Sequence, residues 1–267
     1  TGGEPTLRED LPQLYQAAIN ALPHIKGLSI ITNAIKNEDV IARIDKVIQV
    51  VRGNGKHFSM MVSLDGYGVV HDKIRGRDGN FESAISVIDY FRNKSVEIAI
   101  GCTISKDNVW GAEELLHYLK KQGIYGRFRV AEFIKRLYND DRTEVIRNFS
   151  EDERYQLTLF FYKLIYTFEK NTIYKNTYYS IIEVLNGNKR SIGCPYQSKG
   201  VVLNSKGELA YCAPKSPIIG QTLKKSALEL YRNNFKTRNN ILKSDCDNCI
   251  HDYHFSLTKE EEVKRKI

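Results

Sequence analysis

The feature that most constrains the fold is a pattern that repeats between residues 28 and 134. Short apolar runs start near residues 28, 57, 96 and 127, and the last of them reaches Ile134. The first three are each followed by apolar residues at helical spacing, in the second case after a long glycine-containing loop. Runs of this length that alternate with amphipathic helices are typical of parallel strands buried on both faces of a sheet. The sequence therefore predicts an α/β fold built from successive β-α units.

The opening residues fit the same pattern. Thr1–Pro5 is a glycine-containing turn and residues 8–22 carry leucines at helical spacing, so they predict a loop and the helix that follows it. Parallel β-α folds place their chemistry in the loops after the strands. We therefore expect the site in Thr1–Pro5, Thr32–Asn33, Ser63–Gly66 and the ends of the last two strands.

Beyond Asp140 the pattern changes, which predicts a second region. Residues 151–170 indicate one apolar helix, Val201–Leu203 and Glu208–Tyr211 indicate a β-hairpin, and residues 226–235 indicate a short helix. The predicted parts of the chain are residues 1–148 as the β-α domain, 149–180 as a bridging helix and linker, 181–258 as a cysteine-rich domain and 259–267 as a charged tail.

The net charge of the sequence is +8, but its lysines and arginines are spread along the whole chain. A scattered charge is typical of a solvated basic surface and does not predict a nucleic-acid site. No stretch approaches the roughly 18 consecutive apolar residues that a membrane-spanning helix needs, and the chain does not open on a secretory signal. We expect a cytoplasmic protein with neither a membrane nor a nucleic acid as its partner.

Four of the five cysteines lie near the C-terminus. Cys246 and Cys249 have the Cys-x2-Cys spacing of a metal knuckle, and a hairpin would bring Cys194 and Cys212 to one end. Four thiolates can bind one zinc ion or one iron–sulfur cluster, and the spacing leaves both open. Cys102 stands apart in an apolar run and is predicted to be a buried thiol.

Four short motifs follow the predicted strands in order: Gly2-Gly3-Glu4-Pro5, Thr32-Asn33-Ala34, Ser63-Leu64-Asp65-Gly66 and His71-Asp72-Lys73-Ile74-Arg75-Gly76. Together they resemble the motifs of the radical S-adenosylmethionine enzymes, although Ala34 stands where the family has glycine. The resemblance implies that the first motif holds the methionine amino group of the cofactor, and that strand-end residues contact its carboxylate and ribose. The implied cofactor-binding residues are Gly2, Gly3, Glu4, Pro5, Thr32, Asn33, Ser63, Asp65 and Arg75.

The same resemblance implies a partial (β/α)6 TIM-like barrel that lacks its first β-α unit, followed by a small cysteine-rich C-terminal domain. The family's Cys-x3-Cys-x2-Cys loop, which binds the 4Fe-4S cluster that cleaves S-adenosylmethionine, is absent from the sequence. We expect these ligands upstream of Thr1, and we expect residues 1–267 to be inactive without them. The C-terminal cysteines resemble a twitch or SPASM-like appendage, which implies one auxiliary 4Fe-4S cluster on Cys194, Cys212, Cys246 and Cys249.

The function implied by this resemblance is that of an enzyme. It would use a 5′-deoxyadenosyl radical to remove hydrogen from an unactivated C–H bond. The auxiliary cluster favours oxidation or cross-linking, with a peptide or a carbohydrate-like metabolite as substrate and flavodoxin or ferredoxin as reducing partner. Arg129 and Glu132, on the last predicted strand, are candidates for substrate binding or proton transfer, and a buried ion pair is the alternative for either residue.

A second class of function also fits these residues. A barrel without the cluster loop, with zinc on the four C-terminal cysteines, would be a non-catalytic binding module. An RNA-modifying radical enzyme would need a contiguous basic face, which the sequence does not display.

Overall fold

The computed structural model describes residues 3–132, 148–198 and 200–254. They form two compact units. Unit 1 consists of the described residues within Thr1–Ile104 and Trp110–Arg129. Unit 2 consists of those within Ser105–Val109 and Val130–Ile267. The division into functional domains at residue 148 stays a prediction.

Unit 1 is an α/β structure around a four-stranded sheet. Its strands are β1 (Gly27–Thr32), β2 (His57–Ser63), β3 (Glu97–Ile104) and β4 (Tyr125–Val130). Its helices are α1 (Leu11–Ala21), α2 (Asn37–Gly53), α3 (Val69–Arg75), α4 (Asn80–Asn93) and α5 (Ala112–Gln122). The strands follow the order β1-β2-β3-β4, and β1 with β2 and β2 with β3 pair in parallel. The predicted α/β fold with a parallel sheet is therefore confirmed.

The two faces of this sheet differ in burial. On β2, Phe58, Met60 and Val62 are buried on one face, whereas Ser59 and Met61 on the other face are half-buried. Helices α2 and α4 pack against the sheet and contribute apolar residues to the same core. The sequence predicted that both faces are buried. The second face is more open because its strand positions include serine and arginine as well as apolar residues.

Two local predictions were wrong. The glycine-containing segment after β2 was expected to be a loop, but it contains helix α3. The last strand was expected to reach Ile134, but β4 ends at Val130, and residues 133–147 lie outside the described residues. Glu132 is therefore not a residue of this strand.

Unit 2 combines helices with a small antiparallel sheet. Its helices are α6 (Glu151–Thr167), α7 (Thr172–Leu185), α8 (Ala227–Asn233) and α9 (Phe235–Ser244). Its strands are β5 (Val202–Leu203), β6 (Glu208–Ala210) and β7 (Ile218–Gln221), in the order β5-β6-β7. A capping box at Ser150 and Glu153 begins α6, which packs against α7 through Phe161 and Tyr178. Strand β7 and helices α7 and α9 were not predicted.

The helices of the described residues include none that is both long enough and apolar enough to cross a membrane.

Candidate functional site

Glu4 joins the N-terminal turn to the end of β1. Its Oε1 atom accepts hydrogen bonds from the Thr6 main-chain N at 3.1 Å, from Thr6 Oγ1 at 2.6 Å and from Thr32 Oγ1 at 2.9 Å. Its Oε2 atom accepts from the main-chain N of Asn33 at 2.6 Å. Three of the predicted cofactor-binding residues, Glu4, Thr32 and Asn33, therefore lie together, and the Glu4 carboxylate already has four donors.

The other residues of the first motif form the turn itself. Gly3 has a φ of +71°, a left-handed conformation that glycine adopts without strain, and an added Cβ atom would meet nothing within 4 Å. Pro5 begins a 3₁₀ turn, Pro5–Leu7, that Glu4 caps. Gly2 lies outside the described residues. The open backbone around Gly3 leaves room for a ligand to approach closely.

Ala34 departs from the usual conformation of its residue type. Its φ is +54° and it is fully buried. Its main-chain N donates to Thr32 Oγ1 at 3.1 Å, and its carbonyl accepts from Ser83 Oγ of α4 at 2.6 Å. These contacts hold a left-handed alanine at the position where the resembled motif has glycine, so the loop after β1 contains a strained residue.

We predict that Ala34→Gly stabilises the protein. A left-handed alanine costs about 1–2 kcal/mol, and the added chain entropy of glycine in the unfolded state costs roughly 0.4–1 kcal/mol. The free energy of unfolding should therefore rise by roughly 0.5 kcal/mol in chemical denaturation. Ala84 is an equally buried alanine inside α4, and Ala84→Gly should lower the same quantity by about 1 kcal/mol. Destabilisation by both changes would contradict the strain at Ala34.

Asp65 and Arg75, two further predicted cofactor-binding residues, pair with each other. Arg75 Nη2 lies 2.6 Å from Asp65 Oδ2, and the main-chain N of Thr103 on β3 donates to Asp65 Oδ1 at 2.8 Å. The Asp65 side chain is 6% exposed and the Arg75 side chain 28%. The pair therefore fixes the loop after β2 to the end of β3. Ser63, the last residue of β2, is half-buried on the same face as Met61.

His71 is a site residue to which the sequence reasoning gave no role. It lies on α3 and is fully buried, and its Nδ1 atom accepts from the Asp65 main-chain N at 3.0 Å. Asn80 lies beside the ring, and its Nδ2 atom donates to the Asn33 carbonyl at 3.3 Å. Together they connect the loops after β1 and β2. His71 is the first residue of the motif His71–Gly76, so its position in the motif could have indicated that it belongs to the site.

Burial lowers the pKa of His71 and outweighs the other groups near the ring. Asp65 and Asp72 raise this pKa, Arg75 lowers it, and the Asn80 side chain raises it. Because the pKa is lower in the folded state, the unfolded state binds more protons below about pH 6.5. The contribution of His71 to stability is therefore complete above that pH and is lost as the pH falls through the folded-state value.

We predict that His71→Asn removes part of the pH dependence of stability between pH 7 and pH 5. Asparagine keeps an acceptor where Nδ1 lies, so the bond from Asp65 is retained, but it does not titrate. The wild type should lose up to about 1.4 kcal/mol per pH unit from this group within that window, and the variant should lose less. Denaturation at each pH measures the two slopes, and equal slopes would refute the prediction.

Arg129 lies on the half-buried face of the sheet in unit 1. Its Nη2 atom is 3.9 Å from Met61 Sδ, and its Nε atom is buried without a hydrogen-bond partner among the described residues. Gly101 on β3 makes room for both side chains, because a Cβ atom there would lie 2.7 Å from Met61 Sδ and 3.2 Å from Arg129 Nη2. A guanidinium in this setting could bind a carboxylate or another anion.

Glu132, the second predicted catalytic residue, belongs to unit 2. Its side chain is 2% exposed, and Lys215 Nζ donates to its Oε1 atom at 3.3 Å. The structure therefore does not bring it onto a common strand with Arg129. An ion pair of this kind is the alternative considered from the sequence.

The four C-terminal cysteines line one cavity of unit 2. Cys194 precedes a 3₁₀ turn, Pro195–Gln197, and Cys212 follows β6. Cys246 and Cys249 follow α9, where the Cys249 main-chain N donates to the Cys246 carbonyl at 3.3 Å. The cavity also has charged and polar lining residues, namely Arg190, Gln197, Lys215 and Arg238.

The environment of these thiols favours their protonated form. Burial raises the pKa of Cys194 to about 11, and burial likewise raises the pKa of Cys212, Cys246 and Cys249. Arg190 acts in the opposite direction and lowers the pKa of three of the thiols, all except Cys212. In the part of the chain that the structure describes, no three histidine, cysteine, aspartate or glutamate side chains could bind one metal ion together. The four thiols nevertheless line one cavity, and neighbouring cysteines raise the pKa of Cys194, Cys212 and Cys246, so the thiols lie near one another.

Comparison with known proteins gives partial matches. No protein-family model matches the sequence. The Fe-coproporphyrin III synthase of Methanosarcina barkeri is 29% identical over 124 residues, which are 46% of this chain and 29% of that protein. An AdoMet-dependent heme synthase of Oleidesulfovibrio alaskensis is 29% identical over 110 residues, which are 41% of this chain and 26% of that protein. The matched segments thus span less than a third of these relatives.

A solved structure shows the same fold over almost the whole chain. Native anSMEcpe with bound AdoMet and Cp18Cys peptide superimposes with a TM-score of 0.57 and covers 97% of this chain and 70% of that one. Its sequence is 17% identical, so the likeness concerns the fold.

Proposed function

We propose that this chain is part of a radical S-adenosylmethionine enzyme and that it binds S-adenosylmethionine at the carboxyl ends of β1 and β2. The observation that carries the proposal is that separate motifs contribute Glu4, Thr32, Asn33 and Asp65 to loops at one edge of a parallel sheet. Parallel α/β folds bind their ligands at this edge. We further propose that the sheet is part of a (β/α)6 barrel, with its half-buried face inside.

The residues present suit the cofactor. The open turn at Gly3 offers main-chain carbonyls to an ammonium group, and Glu4, held by its four donors, supplies negative charge beside that turn. When bound, S-adenosylmethionine and a 4Fe-4S cluster supply a radical that can take hydrogen from an unactivated C–H bond. The role of this chain is to orient the cofactor and to exclude water. The Asp65–Arg75 pair supports that role by fixing the loop after β2.

Arg129 is proposed to contact a carboxylate of the substrate. Its guanidinium lies on the half-buried face of the sheet, where its Nη2 atom donates to the uncharged thioether of Met61. No carboxylate among the described residues pairs with this guanidinium, and an incoming anion stabilises an arginine in such a partly desolvated place. The Glu132 carboxylate pairs with Lys215, so a buried ion pair explains this residue better than a catalytic role does.

The four cysteines are proposed to hold one auxiliary 4Fe-4S cluster in a twitch or SPASM-like domain. Soft thiolates suit iron–sulfur clusters and zinc alike. The four thiols line one cavity, and the resemblance of these cysteines to a twitch or SPASM-like appendage favours the iron–sulfur cluster. Zinc on these cysteines, in a protein without catalytic activity, is the alternative.

The proposed substrate is a peptide, and the proposed reducing partner is flavodoxin or ferredoxin. The peptide in the superimposed anSMEcpe structure supports this choice through the fold alone. A tetrapyrrole is the second candidate, because the curated relatives are named as synthases of Fe-coproporphyrin III and heme. Both substrate classes offer carboxylates to Arg129.

The test is anaerobic reconstitution of the full-length protein with iron and sulfide, followed by an assay for 5′-deoxyadenosine with S-adenosylmethionine and dithionite. We expect 5′-deoxyadenosine to form, and to form faster with the true substrate class. Peptides and Fe-coproporphyrin III are added in parallel reactions to separate the two classes. Loaded clusters with no 5′-deoxyadenosine in any reaction would overturn the proposed function.

A further inference from the structure

Arg190 connects the two segments that carry the four cysteines. It lies shortly before Cys194, and its Nε atom donates to the Ile192 carbonyl at 3.0 Å within its own segment. Its Nη1 atom donates to the carbonyls of Cys249, at 2.9 Å, and His251, at 2.5 Å. Its Nη2 atom donates to the carbonyl of Tyr253. One guanidinium thus binds four main-chain carbonyls, three of them in the segment that begins at Cys249.

The main chain of Arg190 strengthens the same connection. Its N atom donates to the carbonyl of Asp247, at 2.7 Å, between the two cysteines of the Cys-x2-Cys loop. That loop has no helical or strand hydrogen bonding of its own across Asp247–His251. A guanidinium is planar and carries five N–H donors in a fixed arrangement, so it can donate to several carbonyls at once. The ammonium group of a lysine has three donors at a single point and cannot span the same carbonyls. The position of Cys249 relative to Cys194 therefore depends on this side chain.

Arg190 also brings a positive charge to the cavity. It lines the same cavity as the four cysteines, and the acceptors of its side-chain hydrogen bonds are uncharged carbonyls. The carboxylate of Asp247 pairs with the neighbouring Lys189 at 2.9 Å. The charge of Arg190 is thus available to a group bound by the thiolates, which would be anionic. Reduction makes such a group more negative, so a fixed cation beside it favours the reduced form.

We propose that Arg190 is a positioning residue of the four-cysteine site: it holds the two cysteine segments together and raises the reduction potential of the cluster bound there. This inference rests on the proposed function, in that it takes the four cysteines to bind one auxiliary cluster. The structural role and the effect on the reduction potential can be separated by substitution. Lysine keeps the positive charge but lacks the planar set of N–H donors, whereas glutamine keeps an N–H donor but has no charge.

The test compares full-length wild type, Arg190→Lys and Arg190→Gln after anaerobic reconstitution. The first measurement is the rate at which a chelator removes iron from the auxiliary site, followed by absorbance and EPR. Both variants should lose the cluster about tenfold faster or more, the range typical of changes to residues that support metal ligands. The second measurement is the midpoint potential of the cluster that remains. It should be more negative in Arg190→Gln and close to wild type in Arg190→Lys.

Lys189→Gln is the matched control. Lys189 is the preceding residue, and its pairing with Asp247 is a surface ion pair in which the side chains are 79% and 53% exposed, so it contributes little. Its change removes a positive charge from the same segment and leaves the carbonyl bonds of Arg190 in place. It should leave both measurements as in wild type. Circular dichroism shows whether each variant is folded, and the potential is read only from loaded protein, so that general destabilisation does not imitate the effect.

The outcomes separate this inference from the proposed function. If the wild type holds the cluster and both Arg190 variants match its chelator rate and potential, the inference is wrong while the proposed function stands. A Lys189→Gln variant that shifts as far as Arg190→Gln would also overturn the inference. If the wild-type cysteines bind no cluster, the proposed function and the inference fail together.

Discussion

Replacing Cys249 by alanine is expected to abolish the proposed auxiliary cluster. Loss of a group that only supports a ligand costs metal sites about 10–100-fold in affinity, and this change removes one of four thiols that line a single cavity. The reconstituted variant should therefore lose the iron, the sulfide and the EPR signal of that cluster, with an affinity lowered by more than about 100-fold. Metal analysis of the purified protein also distinguishes iron from zinc at this site.

Cys102→Ala is the control for this prediction. Cys102 is a buried cysteine that lies on β3 in unit 1 and does not line the cavity. This variant should keep the full iron content of the wild type, with only a small loss of stability from the missing sulfur atom. A Cys249→Ala protein that retains wild-type iron would show that the four cysteines do not act as one set of ligands.

Replacing Asp65 by asparagine is expected to cause the largest loss of stability. The change removes the charge that faces Arg75 and turns one of the two carboxylate oxygens into an amide nitrogen, so Arg75 and the Thr103 main-chain N can no longer each have an oxygen of their own in this buried place. Breaking one partner of a buried ion pair typically costs about 3–5 kcal/mol, because the other charge is left without compensation. Chemical denaturation should show this decrease in the free energy of unfolding. The affinity for S-adenosylmethionine should fall as well, since the loop after β2 loses its anchor.

Two variants calibrate this result. Arg75→Met on the Asp65→Asn background should recover part of the lost stability, because the uncompensated charge is then gone. Asp10→Asn breaks the Arg8–Asp10 pair at the surface, where both side chains are more than half exposed, and should change stability little. If Asp65→Asn behaves like Asp10→Asn, the Asp65–Arg75 pair does not hold the loop.

The strands of unit 1 could be predicted because their signal is local. Apolar runs between helical patterns marked β1, β2 and β3 to within about two residues. Helix α3 was missed because Gly66, Gly68 and Gly76 surround a stretch of seven helical residues, and glycines normally indicate a loop. Helix α9 was missed because Ile241 is its one buried residue, which leaves no apolar periodicity to read.

The candidate site was predictable in part, for the same physical reason. Motifs at strand ends can be read in sequence, and parallel pairing brings such ends together. Which partner each side chain contacts depends on residues that are distant in sequence. Nothing in the local sequence indicates that Arg75 faces Asp65, or that Asn80 reaches the Asn33 carbonyl from α4. Arg190 was overlooked because its partners follow Cys249, far along the chain.

The order of the cysteines along the chain has a consequence for biosynthesis. Cys194 and Cys212 leave the ribosome first. The lining of the cavity is complete only when the segment after α9, with Cys246 and Cys249, has been synthesised as well. A metal group that needs all four thiols cannot be completed on a shorter nascent chain. Loading of the proposed cluster would then be a late event in the maturation of unit 2, and a chain released before Cys249 would leave its reduced thiols open to oxidation.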